Sequence, residues 1–254
     1  MNAARSLAAL TAWRGQARIG SGWAVFEGHA GDNRPHAHHA LQLALGVEGP
    51  VTACIGLETL RVPALLIAAD VQHVMQPGRT RLLYIEREST VGRQLSATFA
   101  GDVRPFDATT CETLHAAWPT DCDASALLPI LHVLGVTARA ASVVDSRSLE
   151  RMQRVIASLP HRVAEPVKLA ALAAEAVLSP SRFTHCFKAI TGLALRPYVR
   201  WLRLAQALAF IAEGEPLTHA AHRAGFADGA HLTRTMQRHF GVAPRDMVAS
   251  LRGG

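Results

Sequence analysis

The chain is poor in lysine, cysteine and charge. Of 26 basic residues among 254, only Lys168 and Lys188 are lysine; the rest are arginine. Charged residues make up 18% and apolar residues 49%. That balance excludes a disordered tail or a long coiled coil and leaves enough for a sizeable core, in one large domain or two ordinary ones. The four cysteines, Cys54, Cys111, Cys122 and Cys186, form no Cys-x-x-Cys pair. A disulfide scaffold or a structural zinc knot is therefore not expected, the thiols are expected to be inert, and a reducing cytoplasm fits. No apolar run approaches the roughly 18 residues of a membrane helix, so no membrane partner is expected. The start, Met1 to Trp13, carries Arg5, runs into Arg14 and Arg18, and lacks a clear small-residue cleavage site. It does not read as a secretory signal.

What is present is unevenly distributed. Residues 1–144 hold 11 basic and 12 acidic side chains, a net of −1, whereas residues 145–254 hold 15 and 8, a net of +7. All the excess positive charge lies in the last part of the chain. Arginine suits phosphate oxygens because its planar fork donates two bonds at once. A basic part joined to a near-neutral part points to a polyanion-binding module attached to something else.

Periodicity changes along the chain as well. From Gly22 to about Glu88 it is short and alternating. Leu41, Leu43, Leu45 and Val47 share one strand face, and Val51, Ala53 and Ile55 share another. Turn signals at Gly49-Pro50, Gly56, Pro63 and Pro77-Gly78 predict an antiparallel sandwich or barrel. From Asp123 the spacing is helical, with helices predicted over Leu127–Ala141, broken near Pro129 and Gly135, and over Ser148–Leu159.

The last 90 residues contain an internal repeat. Leu169, Leu172, Ala173 and Ala176 have the same helical spacing as Leu217, Ala220, Ala221 and Ala224, 48 residues later. A turn follows each set, Val177-Leu178 or Gly225-Phe226, and then a capping residue, Ser179 or Asp228, able to open a second helix. Phe183, Phe187 and Gly192 then correspond to Leu232, Met236 and Gly241 at an offset of 49. Between the copies, Tyr198, Trp201, Leu202 and Ala205 form a stripe between Pro197 and Gly214. A helix of about 16 residues there spans ~24 Å and ties two helix-turn-helix units together.

A helix-turn-helix places its second helix in the DNA major groove. With Phe183, Phe187 and Ile190 inward, Ser181, His185 and Lys188 point outward, flanked by Arg182 and Thr184. With Leu232 and Met236 inward, Ala230, Arg234 and Gln237 point outward, flanked by His231 and Thr233. Arg234 can bond guanine O6 and N7, and Gln237 can pair with adenine. Lys188, Arg238 and the linker residues Arg200 and Arg203 are expected on phosphates, where they orient without reading sequence. Two such helices on a rigid linker can enter successive major-groove faces about 34 Å apart. Singly, each of these side chains reads equally well as solvated surface; the duplication raises the set.

Residues 166–249 resemble the DNA-binding domain of AraC/XylS-type transcriptional regulators. The resemblance is carried by Leu169-Ala-Ala-Leu-Ala173, Leu178-Ser-Pro-Ser-Arg-Phe183, Phe187-Lys188, Thr191-Gly192, Tyr198, Arg203-Leu204, Ala207, Ala224-Gly-Phe226, Thr233-Arg234 and Arg238-His-Phe-Gly-Val-Ala-Pro244. It implies sequence-specific binding to a double-stranded operator, a small-molecule effector, a homodimer, contact with RNA polymerase, and no enzymatic activity or cofactor. Base-facing slots carried over by position are Ser181, Thr184 and His185 in the first unit and Ala230, His231 and Arg234 in the second. Gly229-Ala230 stand where the family's second unit often has a polar residue. The fold expected is α+β: a cupin-like β-barrel over residues 1–95, a helical dimerisation and linker region over 96–144, and an all-α double helix-turn-helix domain over 145–254.

The amino-terminal half carries His36-x-His38-His39, with His29 upstream and His73 downstream. A His-x-His pair on a strand sends both imidazoles to one face, a geometry that suits a metal. The glutamate of the metal-binding cupin pattern is Gln42 here, so the sequence assigns no metal. A ligand pocket lined by Trp23, His36, His38, Gln42 and His73 is expected instead. Two other readings stay open: a metal-dependent cupin enzyme with an appended helical part, and an architectural DNA-binding protein without a sensor role.

Overall fold

The computed structural model describes residues 13–31, 34–98, 100–121, 124–136 and 146–244. Cys122, the chain start, the end of the helix predicted over Leu127–Ala141 and the tail of the second repeat lie outside these residues.

A six-stranded antiparallel sheet dominates the first half. Its strands are β1 (Arg14–Gly20), β2 (Trp23–Ala30), β3 (Ala40–Gly46), β6 (Ala64–Ile67), β8 (Gly78–Glu86) and β9 (Val103–Phe106), in the order β1-β2-β8-β3-β6-β9. A second sheet has the order β5-β4-β7, from β4 (Val51–Ile55), β5 (Glu58–Val62) and β7 (His73–Met75). Among the described residues no pairing closes either sheet, so the expected barrel is corrected to two open sheets. The strand at Val103–Phe106, beyond the expected boundary at residue 95, pairs with β6 along the edge of the large sheet.

The inner strands of the large sheet are buried on both faces, and residue alternation divides the two. Trp23, Val25, Leu41, Leu43, Leu45, Leu83 and Ile85 face one core. That core is covered by α1 (Thr90–Ser96), α2 (Ala108–Ala116) and α3 (Leu128–Val133), through Leu95, Leu114, Ile130 and Leu131. The alternate residues Ala24, Phe26, Ala40, Ala44, Leu82 and Tyr84 face the small sheet, with Val51, Ala53 and Met75. The continuous apolar reading of β3 reflects this double burial. Val47, expected on the Leu41 face, lies past the strand and is 43% exposed.

The helical half begins with α4 (Ser146–Ser158), followed by α5 (Leu169–Glu175), α6 (Pro180–Thr191), α7 (Leu195–Ala212), α8 (Leu217–Arg223) and α9 (Gly229–Phe240). The repeat appears as two helix-turn-helix units, α5–α6 and α8–α9, joined by α7. Both capping predictions hold: Ser179 Oγ accepts from the Arg182 amide and an Asp228 carboxylate oxygen accepts from the His231 amide. Both second helices end at a left-handed glycine, Gly192 (φ 73°) and Gly241 (φ 71°). Leu169 departs from its expected stripe and is 37% exposed.

Candidate nucleic-acid interface and histidine cluster

The second helix of each unit divides its residues as helical spacing requires. On α6, Phe183, Cys186 and Phe187 are buried, and Ser181, Arg182, Thr184, His185 and Lys188 are exposed. On α9, Leu232, Met236, His239 and Phe240 are buried, and Ala230, His231, Arg234, Gln237 and Arg238 are exposed. Buried Cys186 fits the expectation of a packed thiol, as does Cys111, whose thiol donates to the Pro63 carbonyl and is pushed up in pKa by burial.

The two exposed faces open onto shared ground. Thr184 of α6 and His231 and Thr235 of α9 line one groove of about 680 Å³, together with Arg196, Arg200 and Arg203 of α7. Arginine on the connecting helix thus lies between the two second helices. Arg200 lines the groove, with its Nε buried. Arg203 is held internally: its guanidinium donates to the carbonyls of Val163 and Glu165, and burial lowers its pKa. It braces α7 against the linker before α5. Arg196, in the first turn of α7, was not singled out in the sequence; its spacing four residues before Arg200 was the available signal.

Residues 172–250 match the family model described as "Helix-turn-helix domain". Over 104 residues the chain is 33% identical to the HTH-type transcriptional activator RhaS of Escherichia fergusonii, covering 41% of this chain and 37% of that protein. Over 80 residues it is 34% identical to the regulatory protein Ada of Salmonella typhimurium, covering 32% of this chain and 23% of that protein. The carboxy-terminal part is thus similar to the helix-turn-helix domains of these regulators. The chain matches about a third or less of the length of these relatives. Among solved structures, ToxT from Vibrio cholerae O395 aligns over 92% of this chain and 99% of its own, at 11% identity and a TM-score of 0.46.

The sheet half grips the helix-turn-helix domain at the carboxy-terminal ends of both second helices. At α6, the Thr90 amide donates to the Gly192 carbonyl at 2.8 Å. Thr90 also borders a surface hollow with Ser181, Thr184, His185 and Lys188. At α9, the His39 amide donates to the Arg238 carbonyl at 2.7 Å, and the His36 ring lies against Gly241 so closely that a Cβ there would collide with it. Tyr84 meets Phe240 edge-on at 5.5 Å.

A buried carboxylate completes this junction. Glu86, fully buried at the end of β8, accepts from Trp201 Nε1 at 3.0 Å. His239 Nε2 lies 3.6 Å away and His39 Nε2 3.7 Å away, at ion-pair range, with Asp70 and Glu88 flanking His39. Burial alone would raise the Glu86 pKa, but the facing His239 and Trp201, then His39, outweigh it and bring it down to about 2. Sequence reasoning missed this group. Its signal was a lone carboxylate closing the apolar run Leu82-Leu-Tyr-Ile-Glu86, with His239 on the inward stripe of α9.

Of the expected ligand pocket, His36, His38, Gln42 and His73 come together and Trp23 does not. Trp23 faces the helix-covered side of the sheet, one position out of phase with the pocket side. The three histidine rings have centroids 4.5 to 5.6 Å apart, and His38 Nε2 lies 2.6 Å from Gln42 Oε1.

Proposed function

We propose that this protein is a sequence-specific DNA-binding regulator of transcription that reads an operator with α6 and α9. The observation that carries this reading is the duplicated helix-turn-helix whose two polar faces share one arginine-lined groove. Arg234, Gln237, His231 and Ala230 read bases from the second helix, and Ser181, Thr184 and His185 from the first. Arg182, Lys188, Arg200 and Arg238 fix the register on phosphates. The protein works by binding rather than catalysis, in the cytoplasm, as a homodimer, with RNA polymerase as its downstream partner. The sheet half receives a small effector at His36, His38, Gln42 and His73. Its grip on the ends of both reading helices supplies the route by which an effector alters DNA binding. No described helix is long and apolar enough to cross a membrane.

The test is selection of bound duplexes from a random pool at fixed salt. A defined motif is expected. Arg234→Ala should weaken the preferred site by about 1–3 kcal/mol and relax one base position, while Lys188→Ala weakens all sequences alike and lowers the salt slope by about one. A pool without enrichment, or an Arg234→Ala variant with an unchanged motif, overturns the reading.

A further inference from the structure

The three histidines have a common local arrangement. Nδ1 of His36 lies 2.9 Å from the Arg34 carbonyl, Nδ1 of His38 is 2.9 Å from the Ala40 carbonyl, and Nδ1 of His73 is 2.9 Å from the Val71 carbonyl. A carbonyl can only accept. Each Nδ1 therefore carries the hydrogen, which leaves each Nε2 with a free lone pair. One ring nitrogen from each residue lies within 4.8 Å of the other two. A backbone carbonyl behind each imidazole, fixing its tautomer and orientation, is the support that metal-bound histidines use.

Two further observations show that the cluster is incomplete as a set of protein-only contacts. His73 is 2% exposed, and its Nε2 has no hydrogen-bond partner among the described residues. His38, equally buried, has an oxygen against each ring nitrogen, Ala40 O and Gln42 Oε1. A neutral ring carries one hydrogen and cannot satisfy both. Turning the Gln42 amide moves the problem onto the other amide atom, which lies near Met75 Sδ. A cation accepting lone pairs from His38, Gln42 and His73 resolves both conflicts. The backbone is held for it: His36 and His73 exchange two main-chain hydrogen bonds, of 3.1 and 2.9 Å.

We propose that His36, His38 and His73 bind one divalent transition-metal ion through Nε2, with Gln42 Oε1 as an adjoining oxygen donor. Three neutral imidazoles and an amide favour zinc, cobalt or nickel over calcium or magnesium. Burial holds the three rings neutral, lowering the pKa of His38 to about 4 and of His73 to about 3, so protons compete weakly for the lone pairs at neutral pH. The site stands at the junction with the helix-turn-helix domain, because the ring of His36 packs against Gly241 at the end of α9. The proposal assigns the effector site named above to a metal, and it stands whether or not the protein selects an operator.

The test uses the full chain, stripped with chelator and titrated with Co2+ in the absence of DNA. A visible ligand-field band reaching its end point at one ion per chain, displaced by Zn2+, is the expected result, with a rise in thermal midpoint on adding Zn2+. His73→Ala should weaken Co2+ binding more than tenfold. His36→Ala, at a partly exposed position that the fold tolerates better, should do the same, while His132→Ala on the exposed side of α3 leaves binding unchanged. Absence of the band, an end point well below one ion, or binding that survives both His36→Ala and His73→Ala overturns the proposal. Operator selection on the same preparations tests the regulator reading separately.

Discussion

The two helix-turn-helix units are near copies in sequence yet are built into the molecule differently. The first, α5–α6, packs in a core of its own with α4, through Met152, Leu159, Leu172, Phe183 and Phe187. The second, α8–α9, has no separate core. Ala220, Leu232, Met236 and Phe240 belong to one continuous cluster with Trp201, Tyr84, Phe26 and Met75, so its interior is also the underside of the large sheet. The turns differ as well. Gly225 (φ 83°) makes the left-handed turn of the second unit, where a Cβ would strike the Val163 carbonyl, and Val177 (φ 55°) makes it in the first. A β-branched residue is poorly suited to that conformation. The contrast teaches that the second unit shares its packing with the sheet half, while the first meets that half at its edge, where Thr90 bonds Gly192 and Leu193 lies against Gly22.

The largest break in that contrast is Glu86→Ala. It leaves Trp201 Nε1 and two histidines facing a void at the shared core, and should cost about 2–4 kcal/mol in urea denaturation. An intact first unit should survive as a separate, later transition. A single transition with unchanged midpoint would show that the junction is not coupled as described.

Acid should loosen the same junction. In the metal-free chain His38 and His73 have pKa values of about 4 and about 3 in place of 6.5, chiefly through burial, so the unfolded chain takes up protons first. Their contribution is full above pH about 6.5 and drains as pH falls through these values. Glu86, held at about 2 against 4.5, adds a second loss below pH about 4.5. Urea midpoints followed from pH 7 to 4 should fall, and His73→Gln should flatten the upper part of that curve.

The helix ends give a sharper pair. Gly192→Ala should cost about 1 kcal/mol for the left-handed backbone alone, since the nearest side-chain atom to a new Cβ is Thr90 Cβ at 3.8 Å. Gly241→Ala adds the collision with His36 and should cost about 2–3 kcal/mol. Equal midpoints for the two variants would dismiss the distinction. The smallest effect is expected at the exposed turn of the first unit. Val177→Gly should stabilise by about 0.5–1 kcal/mol in thermal melts, because relief of the backbone strain exceeds the entropy added to the unfolded chain.

Much of the helical half was legible because helical spacing is a local property. Phe183, Phe187, Leu232 and Met236 define the inward stripe, and the exposed residues of α6 and α9 follow from it at 100° per residue. Ser179, Asp228, Gly192 and Gly241 mark helix ends through their own side chains or lack of one. Strand alternation likewise set apart the two faces of β3. It did not say that both are buried, nor that β1 and β9 leave the sheet open, because closure depends on strand number and tilt rather than on any residue pair.

Sequence by itself determined the duplicated units, their caps, their exposed faces and the presence of histidines at 36, 38 and 73. Only the tertiary structure placed the His36 ring against Gly241, drew Glu86 to Trp201 across the junction, turned Arg203 inward to the Val163 carbonyl and excluded Trp23 from the histidine cluster. The physical reason is range. Caps and stripes are decided within a few residues by dihedral preference and one period of burial, whereas these contacts join residues about 40 to 200 positions apart, and their geometry exists only once two cores have been packed against each other.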